Sequence, residues 1–187
     1  MPSQTLSGSC TSRFSLTRVN SQEQLEAAAT LRAQVFRERR QISFDDALEA
    51  RRDREAHVFL LFDRARAVAV GRVLPYPSRL SSLVDLNQEA GALGADSEIG
   101  RVACVADRAA VECALILLTL GSHWLLEHTR LRRYIGYCHP KLLESYRRLG
   151  AVAGEALDVP GRADRYRMIS GNYDDAATLG ARLLGWP

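Results

Sequence analysis

The segment from residue 97 to residue 139 constrains the fold most, because it has the pattern of a strand, a long helix and a second strand. SEIGRVACV (97–105) and RYIGYCH (133–139) have the composition of buried strands. Residues 107–129 between them are apolar nearly all round as far as Leu120, which predicts a helix buried on more than one side, although Gly121 costs it some stability. This order predicts a parallel pair of strands with a right-handed crossover.

Shorter elements surround this unit. The patterns predict further strands at FSLTRV (14–19), HVFLLFD (57–63), AVAVGRVLP (67–75), AVAGEALDV (151–159) and RYRMISG (165–171). They predict helices from Asn20–Ser21 to the cluster Arg37–Arg40, over 140–150 and in the C-terminal segment. Residues 42–55 suggest a loop or short helix, and 78–97 a long connection of a kind that is often functional.

Length and composition favour one domain over residues 14–187, preceded by a flexible tail over 1–13. The net charge is only +3, Lys141 is the sole lysine and no basic run is long, so we expect no nucleic-acid partner. The N-terminus lacks a signal-peptide core and no apolar run is long enough to span a bilayer, so we expect a cytoplasmic protein that is not integral to a membrane. The four cysteines lack C-x-x-C spacing, which predicts structural thiols and no metal site.

Three motifs in this order resemble the GNAT acyltransferase superfamily, in particular its acyl-homoserine-lactone synthases and N-acyl amino acid synthases. LRAQVFRE (31–38) is similar to their early R-x-x-x-F helix, ARRDREAHVFLLFD with VGRVLP to their acidic turn and paired strands, and SEIGRVAC to their E-x-x-R stretch. The matching residues are Arg32, Phe36, Asp53, Arg72, Glu98 and Arg101. The resemblance implies an α/β (α+β) fold class with a mixed, partly splayed central sheet and helices on both faces.

The function that this resemblance implies is transfer of a fatty acyl group from a thioester to the amine of an amino acid or similar small molecule. RERRQISFDD lacks the aromatic residue that follows the early Phe in lactone synthases, which argues against S-adenosylmethionine as acceptor. VADRAAVE lacks the Gly-rich pyrophosphate turn, which favours acyl-carrier-protein phosphopantetheine over acyl-CoA as co-substrate, with no bound cofactor. Two alternatives remain: an acetyl-CoA-dependent small-molecule N-acetyltransferase and a non-catalytic module that binds a carrier protein or thioester.

Glu98 and Arg101 are the first candidates for catalysis. Glu98 could take a proton from the attacking amine, and Arg101 could bind a substrate carboxylate or fix Glu98. The structural alternative is a salt bridge between the two. In a regular strand, positions 98 and 101 face opposite sides, so a bridge would need a bulge, which Gly100 could provide.

The resemblance implies roles on the amine side for Arg32, Phe36, Asp53 and Arg72. Independently, Arg72 follows Gly71 in an apolar strand, so it needs a buried partner, for which Asp53 and Glu98 are the candidates. The alternatives are a solvated charge for Arg32 and a surface ion pair for Asp53.

Tyr146 in ESYRRLG matches the tyrosine with which many GNAT enzymes protonate the leaving thiolate, and its alternative role is a core aromatic. Ligands of open α/β sheets bind at the carboxyl ends of strands, which here points to the start of the long helix, with Asp107 as its cap. The candidate donor-binding residues are Val105, Ala106, Arg108, Lys141 and Arg147. The basic ones among them could dock an acidic carrier protein or simply be solvated. His139 is expected to have a structural, hydrogen-bonded role.

Overall fold

A seven-stranded sheet is the centre of the computed structural model, which describes residues 13–78, 80, 86–105, 110–160 and 162–186. The strands in these ranges are β1 (Phe14–Arg18), β2 (His57–Asp63), β3 (Arg66–Pro75), β4 (Ser97–Cys104), β5 (Arg133–Cys138), β6 (Val152–Leu157) and β7 (Tyr166–Asn172). They lie in the order β1-β2-β3-β4-β5-β7-β6, with β4 and β5 parallel and the other pairs antiparallel. The predicted mixed sheet and its parallel pair are confirmed.

Helices cover both faces of this sheet. They are α1 (Gln22–Ala33), which continues as a π-helical segment (Gln34–Arg39), α2 (Asp46–Glu55), α3 (Asn87–Leu93), α4 (Ala110–His128), a 3₁₀ turn (Pro140–Leu142) followed by α5 (Leu143–Arg147), and α6 (Tyr173–Leu183). Neighbouring residues of β3 define the faces: a Cβ on Gly71 would contact Leu117 of α4, whereas Arg72 bonds Glu49 of α2. The helices α1 and α2 therefore cover one face, and α4 covers the other together with α6.

Several predicted elements differ from the observed ones. Residues 42–55 form the helix α2 over Asp46–Glu55, with the Asp45 side chain as its N-cap. The prediction of a plain connection over 78–97 was wrong, because α3 lies within it; Leu86 gives α3 no side-chain cap and Gly91 weakens its pattern. The predicted cap Asp107 and residues 1–12 of the predicted tail lie outside the described residues.

The sheet splays between β4 and β5. Their pairing joins Ser97, Glu98 and Ile99 to Tyr134, Ile135 and Gly136, and no further pair follows among the described residues. The two strands approach closely at the end of this pairing, where a Cβ on Gly136 would lie 2.7 Å from the Ile99 carbonyl oxygen. Beyond it the edge of β4 that faces β5 has no strand partner in the described ranges, which leaves backbone N–H and C=O groups available to a ligand.

The long helix α4 is the core helix of the fold. The expectation that no apolar run is long enough to span a bilayer was wrong, because α4 could cross a membrane by its length and composition. In this structure α4 packs against β2, β3, β4 and α6. Its buried side includes Cys113, Ile116, Leu117, Leu120 and Leu125. The apolar side chains of α4 that are visible in the sequence therefore pack between the sheet and α6.

Replacing Gly180 by alanine is expected to destabilise the protein, because α6 crosses α4 at this glycine. A Cβ there would lie 2.0 Å from Thr119 Oγ1 and 3.0 Å from Thr119 Cβ, so one helix must move. Overpacking of this kind costs about 1–3 kcal/mol, and thermal unfolding should show a Tm lower by several degrees. Gly91→Ala is the matched control, since its Cβ meets nothing within 4 Å. An unchanged Tm for Gly180→Ala would contradict this packing.

Candidate active site

A buried cluster of charged side chains joins α2 to the sheet, and Glu49 lies at its centre. Arg101 binds this carboxylate with two atoms, Nε to Oε2 at 2.9 Å and Nη2 to Oε1 at 2.8 Å. Arg72 Nη1 donates to Glu49 Oε2 at 2.8 Å and to Asp53 Oδ1 at 3.2 Å. Arg101 and Arg72 come from neighbouring strands, so Glu49 holds β3 and β4 to α2.

Two further arginines complete this cluster. Arg32 of α1 donates to both oxygens of Asp53, and Arg52 Nη1 donates to Glu49 Oε1 at 2.8 Å. The described contacts thus join four guanidinium groups to two carboxylates. Attraction between these opposite charges is strong, because solvent screening is weak in a buried cluster.

The sequence predicted part of this cluster. Asp53 is a partner of Arg72 as expected, but the principal partner is Glu49, which was missed together with Arg52. The alternatives of a solvated Arg32 and a surface Asp53 are wrong, because these residues are 2% and 6% exposed. The available signal was the spacing of Glu49, Arg52 and Asp53 at i, i+3 and i+4, which puts all three on one helix face.

Glu49 should make the stability of the fold depend on pH in the acidic range. Burial alone would raise its pKa, but hydrogen bonds from Arg101 and the charges of Arg72 and Arg101 outweigh burial and lower the pKa from 4.5 to about 2. A carboxyl group whose folded pKa is depressed stabilises the fold above its unfolded pKa, and this contribution disappears as pH falls from about 4.5 to 2. The contribution is on the order of 3 kcal/mol.

Urea unfolding of wild type and Glu49→Gln across this pH range would measure the effect. The difference in the free energy of unfolding between the two proteins should shrink as pH falls, because protonated Glu49 resembles glutamine. A difference that stays constant from pH 7 to pH 2 would show that Glu49 is not the titrating group.

A bulge in β4 brings Glu98 and Arg101 to the same face. Arg72 pairs with Gly100 and Val70 with Ala103, so β4 has one extra residue between these pairs. A bulge was expected only as the condition for a Glu98–Arg101 bridge; it is present, but the residue with positive φ is Arg101, at 54°, and not Gly100. An arginine in this region costs some backbone energy, of a kind that concentrates at functional sites.

The predicted alternative of a Glu98–Arg101 salt bridge is not the observed pairing. Arg101 binds Glu49, and Glu98 Oε2 accepts a hydrogen bond from the Tyr76 hydroxyl at 2.7 Å. The other carboxylate oxygen, Oε1, lies 3.9 Å from the place where Gly100 would carry a Cβ. The glycine thus leaves room beside the Glu98 carboxylate.

The splay between β4 and β5 forms a cavity of about 780 Å³, including the part open to solvent. Five predicted site residues line it: Phe36, Arg72, Glu98, Arg101 and Tyr146. Arg40 and Arg162, which the sequence did not single out, line it as well. The predicted Arg32 and Asp53 lie behind this lining, in the buried cluster.

Aromatic rings help to hold Arg101. Its guanidinium lies 5.8 Å from the ring centre of Phe36 and 5.5 Å from that of Phe44, and the two rings meet edge to face. Contacts between a guanidinium and ring faces are attractive. Phe36 therefore orients a charged group at the cavity wall.

Two groups on the β5 side of the cavity stay protonated at neutral pH. Burial raises the pKa of the Tyr146 hydroxyl above its ordinary value, so this group is an O–H donor. Burial also raises the pKa of the Cys138 thiol to about 11. Cys138 is therefore a poor nucleophile, and the cavity supports direct transfer between substrates better than a cysteine acyl-enzyme.

The predicted donor-binding residues are spread out. Val105 is buried after β4, where its carbonyl accepts from Arg39 Nη1 at 2.8 Å. Lys141 and Arg147 are exposed and do not line the cavity, and Ala106 and Arg108 lie outside the described residues. His139 lies at the cavity edge with structural partners: Nδ1 accepts from the Lys141 N–H and Nε2 lies 2.9 Å from Asp164 Oδ2.

Comparison with known proteins identifies the fold. No protein-family model and no curated protein sequence matches the chain. Among solved structures, the N-acyl amino acid synthase FeeM from uncultured soil microbes matches 92% of this chain over 96% of its own, with a TM-score of 0.73 and 17% identity. The chain has the GNAT fold. Two further structures with this GNAT fold show its breadth.

The CoA-dependent acyl-homoserine lactone synthase BjaI matches with a TM-score of 0.64 at 17% identity, over 89% of this chain and 84% of that one. Spermidine N-acetyltransferase from Vibrio cholerae, in complex with CoA and spermine, matches with a TM-score of 0.58 at 13% identity, over 88% of this chain and 98% of that one. The predicted GNAT-like fold class is confirmed, and these neighbours are acyltransferases by name. At identities this low, the structural matches establish the GNAT fold of the chain. Its activity has to be inferred from the residues of the candidate site.

Proposed function

We propose that the protein is an N-acyltransferase that moves a fatty acyl group from a thioester to the amine of an amino acid or similar small molecule. The observation that carries the proposal is the cavity between β4 and β5, where Glu98, Arg101 and Tyr146 line one space. Amide formation needs a proton acceptor for the amine, donors for the oxyanion and a donor for the leaving sulfur. Glu98, the unpaired edge of β4 and Tyr146 supply these three groups.

The reaction is a direct displacement. The amine nitrogen attacks the thioester carbonyl carbon, and Glu98, directly or through a water, takes the proton that the nitrogen loses. The oxyanion is stabilised by backbone N–H groups of β4, and collapse of the tetrahedral intermediate breaks the C–S bond. The products are an N-acyl amide and a thiol. The thiol receives the proton that Glu98 accepted from the amine.

The acceptor carries a carboxylate. Arg40, Arg72 and Arg101 line the cavity. A guanidinium group can bind a carboxylate through two parallel hydrogen bonds, which an amine without a carboxylate cannot accept. Phenylalanine and phenethylamine are a matched pair of acceptors, and the amino acid should be used better by about tenfold or more in kcat/KM. Equal use would assign the arginines to structure alone.

Tyr146 acts as a hydrogen-bond donor to the leaving sulfur. Because burial raises its pKa, complete proton transfer to a thiolate of ordinary pKa is uphill, and a hydrogen bond is the favourable interaction. Tyr146→Phe is expected to lower kcat by about tenfold to a hundredfold with an alkyl thioester donor. The loss should be much smaller with an aryl thioester, whose thiolate leaves readily. Equal losses with both donors would make Tyr146 a packing residue only.

The acyl donor in this proposal is a carrier-protein thioester. Lys141 and Arg147 are exposed beside the cavity and could steer an acidic carrier protein, although Arg147 also lies 4.0 Å from Glu144. Lys141→Glu should raise KM for acyl carrier protein and leave KM for the matching acyl-CoA within about twofold. An equal change for both donors would remove the docking role.

A purified-protein assay tests the function as a whole. Acyl-carrier-protein and CoA thioesters from acetyl to hexadecanoyl are mixed with a panel of amino acids, and amides are detected by mass spectrometry. A fatty acyl amide from at least one pair supports the proposal. Product from acetyl-CoA alone would favour the small-acyl alternative, and carrier binding without any product would favour a non-catalytic module.

A further inference from the structure

Tyr76 connects the end of β3 to the proposed base. Its backbone N–H donates to the Asp96 carbonyl at 2.8 Å, which extends the pairing of β3 with β4 by one residue beyond Pro75 and Ser97. From this position the Tyr76 hydroxyl donates to Glu98 Oε2 at 2.7 Å. A hydrogen bond of this length from a hydroxyl to a carboxylate is of the strong, charge-assisted kind. The orientation of Glu98 is therefore set in part by Tyr76.

The two carboxylate oxygens of Glu98 have different surroundings. Oε2 lies on the side of Tyr76, which is not among the residues that line the cavity between β4 and β5. Oε1 lies 3.9 Å from the place where Gly100 would carry a Cβ, and Gly100 lines that cavity. The carboxylate cannot rotate without breaking the bond from Tyr76. The hydroxyl thus leaves Oε1 as the oxygen that can meet an attacking amine.

A small apolar cluster supports Tyr76. It consists of Leu86, just before α3, Ala90 of α3 and Ile135 of β5, and Tyr76 packs against it. Ile135 is also the residue that pairs with Glu98 across the parallel strands β4 and β5. The tyrosine and the carboxylate are therefore held by the same part of the sheet. Phenylalanine keeps the ring that packs here, so Tyr76→Phe removes the hydrogen bond and little else.

We infer that Tyr76 is a positioning residue for Glu98, whose hydroxyl fixes the carboxylate oxygen that faces the substrates and favours the charged form of the base. The inference rests on the proposed function, in which Glu98 takes the proton from the amine. A hydrogen bond to the charged form of an acid lowers its pKa, so the pKa of Glu98 should rise when the hydroxyl is removed. The charged or titratable groups on the surrounding elements, which that variant leaves unchanged, are Arg72 of β3, Arg101 of β4, Tyr137 of β5, Glu49 of α2, Glu89 of α3 and Arg40 after the π-helical segment.

Tyr76→Phe and Tyr173→Phe are a matched pair of variants for the test. The Tyr173 hydroxyl also bonds a residue of β4, because its oxygen lies 2.7 Å from Oγ of Ser97, the neighbour of Glu98. Each variant loses one hydrogen bond of a phenol, so both should lower Tm by a similar few degrees. Only Tyr76→Phe should disturb Glu98, and it should lower kcat by roughly threefold to tenfold. Its KM should stay within about twofold, since Tyr76 lies outside the cavity lining.

NMR of the glutamate carboxyl groups measures the same connection without turnover. Protein labelled with ¹³C at glutamate Cδ is titrated with acid, and Glu98→Gln identifies the Glu98 signal by its loss. The titration midpoint of Glu98 should rise by about one pH unit in Tyr76→Phe and stay unchanged in Tyr173→Phe. No rise in Tyr76→Phe, or an equal rise in both variants, would overturn the inference.

The rate and the titration together separate this inference from the proposed function. A raised midpoint with a lowered kcat in Tyr76→Phe supports the inference. A raised midpoint with an unchanged kcat would overturn the positioning role of Tyr76. A raised midpoint in a protein that transfers no acyl group would overturn the proposed function, while the control of Glu98 by Tyr76 would still be supported.

Discussion

Replacing Glu98 by glutamine is expected to lower kcat/KM for acyl transfer by about a hundredfold or more and to leave the fold intact. Glutamine has the same shape and its carbonyl oxygen can still accept the Tyr76 hydrogen bond, which is 2.7 Å long in wild type. It cannot take a proton from the attacking amine. Loss of general base catalysis lowers the rate by about a hundredfold to ten-thousandfold, so we expect a loss of at least about a hundredfold. Steady-state kinetics and thermal unfolding measure the two effects.

Glu155→Gln is the matched control, because it makes the same substitution at an exposed position of β6. Its activity and Tm should both equal those of wild type. If the Tm of Glu98→Gln falls in proportion to the lost activity, Glu98 has a structural role and is not the base. A rate loss that shrinks at high pH, where hydroxide can take the proton from the attacking nitrogen in place of Glu98, would support the base assignment.

Replacing Glu49 by alanine is expected to cause the largest loss of stability. The substitution leaves Arg101 and Arg52 without the carboxylate that binds them, in a region where Glu49 itself is 4% exposed. Breaking one side of a buried ion cluster costs about 3–5 kcal/mol, because the remaining charges stay desolvated. For a chain of this length, the Tm should fall by roughly 10 °C.

Asp46→Ala on the same helix is the control for Glu49→Ala. Asp46 pairs with Arg37 at 2.6 Å, but its side chain is 71% exposed, so the loss should stay below about 1 kcal/mol. Equal losses for the two variants would mean that the cluster around Glu49 is not the main connection between α2 and the sheet. Activity of Glu49→Ala should fall as well, because Arg101 depends on Glu49 for its position.

Hydrophobic periodicity was enough to predict the centre of the fold. The runs at 57–63, 67–75 and 97–105 lie in β2, β3 and β4, and the long apolar segment is α4. These elements are buried because their own side chains are apolar, and such burial is visible in a sequence. The short helix α3 was missed because residues 87–93 have neither a cap nor a clear apolar stripe.

The charged cluster could not be predicted in the same way. The inward-facing residues of α2 are Glu49, Arg52 and Asp53, so its buried face is charged. A polar segment like this is normally solvent-exposed, and only the arginines supplied by α1, β3 and β4 make its burial favourable. Arg72 alone revealed the need for a partner, because it interrupts an apolar strand.

The backbone conformation of Arg101 could not be predicted from the sequence either. Odd spacing between Glu98 and Arg101 predicted opposite faces for a regular strand and allowed one exception, a bulge. The structure has the bulge, but the left-handed residue is an arginine with φ of 54° where a glycine was expected. Bonds to Glu49 and the rings of Phe36 and Phe44 hold this conformation, and all three residues are distant in sequence.

The central claim of acyl transfer to an amine is tested most directly by mass spectrometry of lipid extracts. Extracts of cells that overproduce wild type are compared with extracts of cells that overproduce Glu98→Gln at equal level. The account predicts N-acyl amino acids, or closely related fatty acyl amides, in the wild-type extract and their near absence with Glu98→Gln. Identical extracts from the two strains, with both proteins folded, would contradict it.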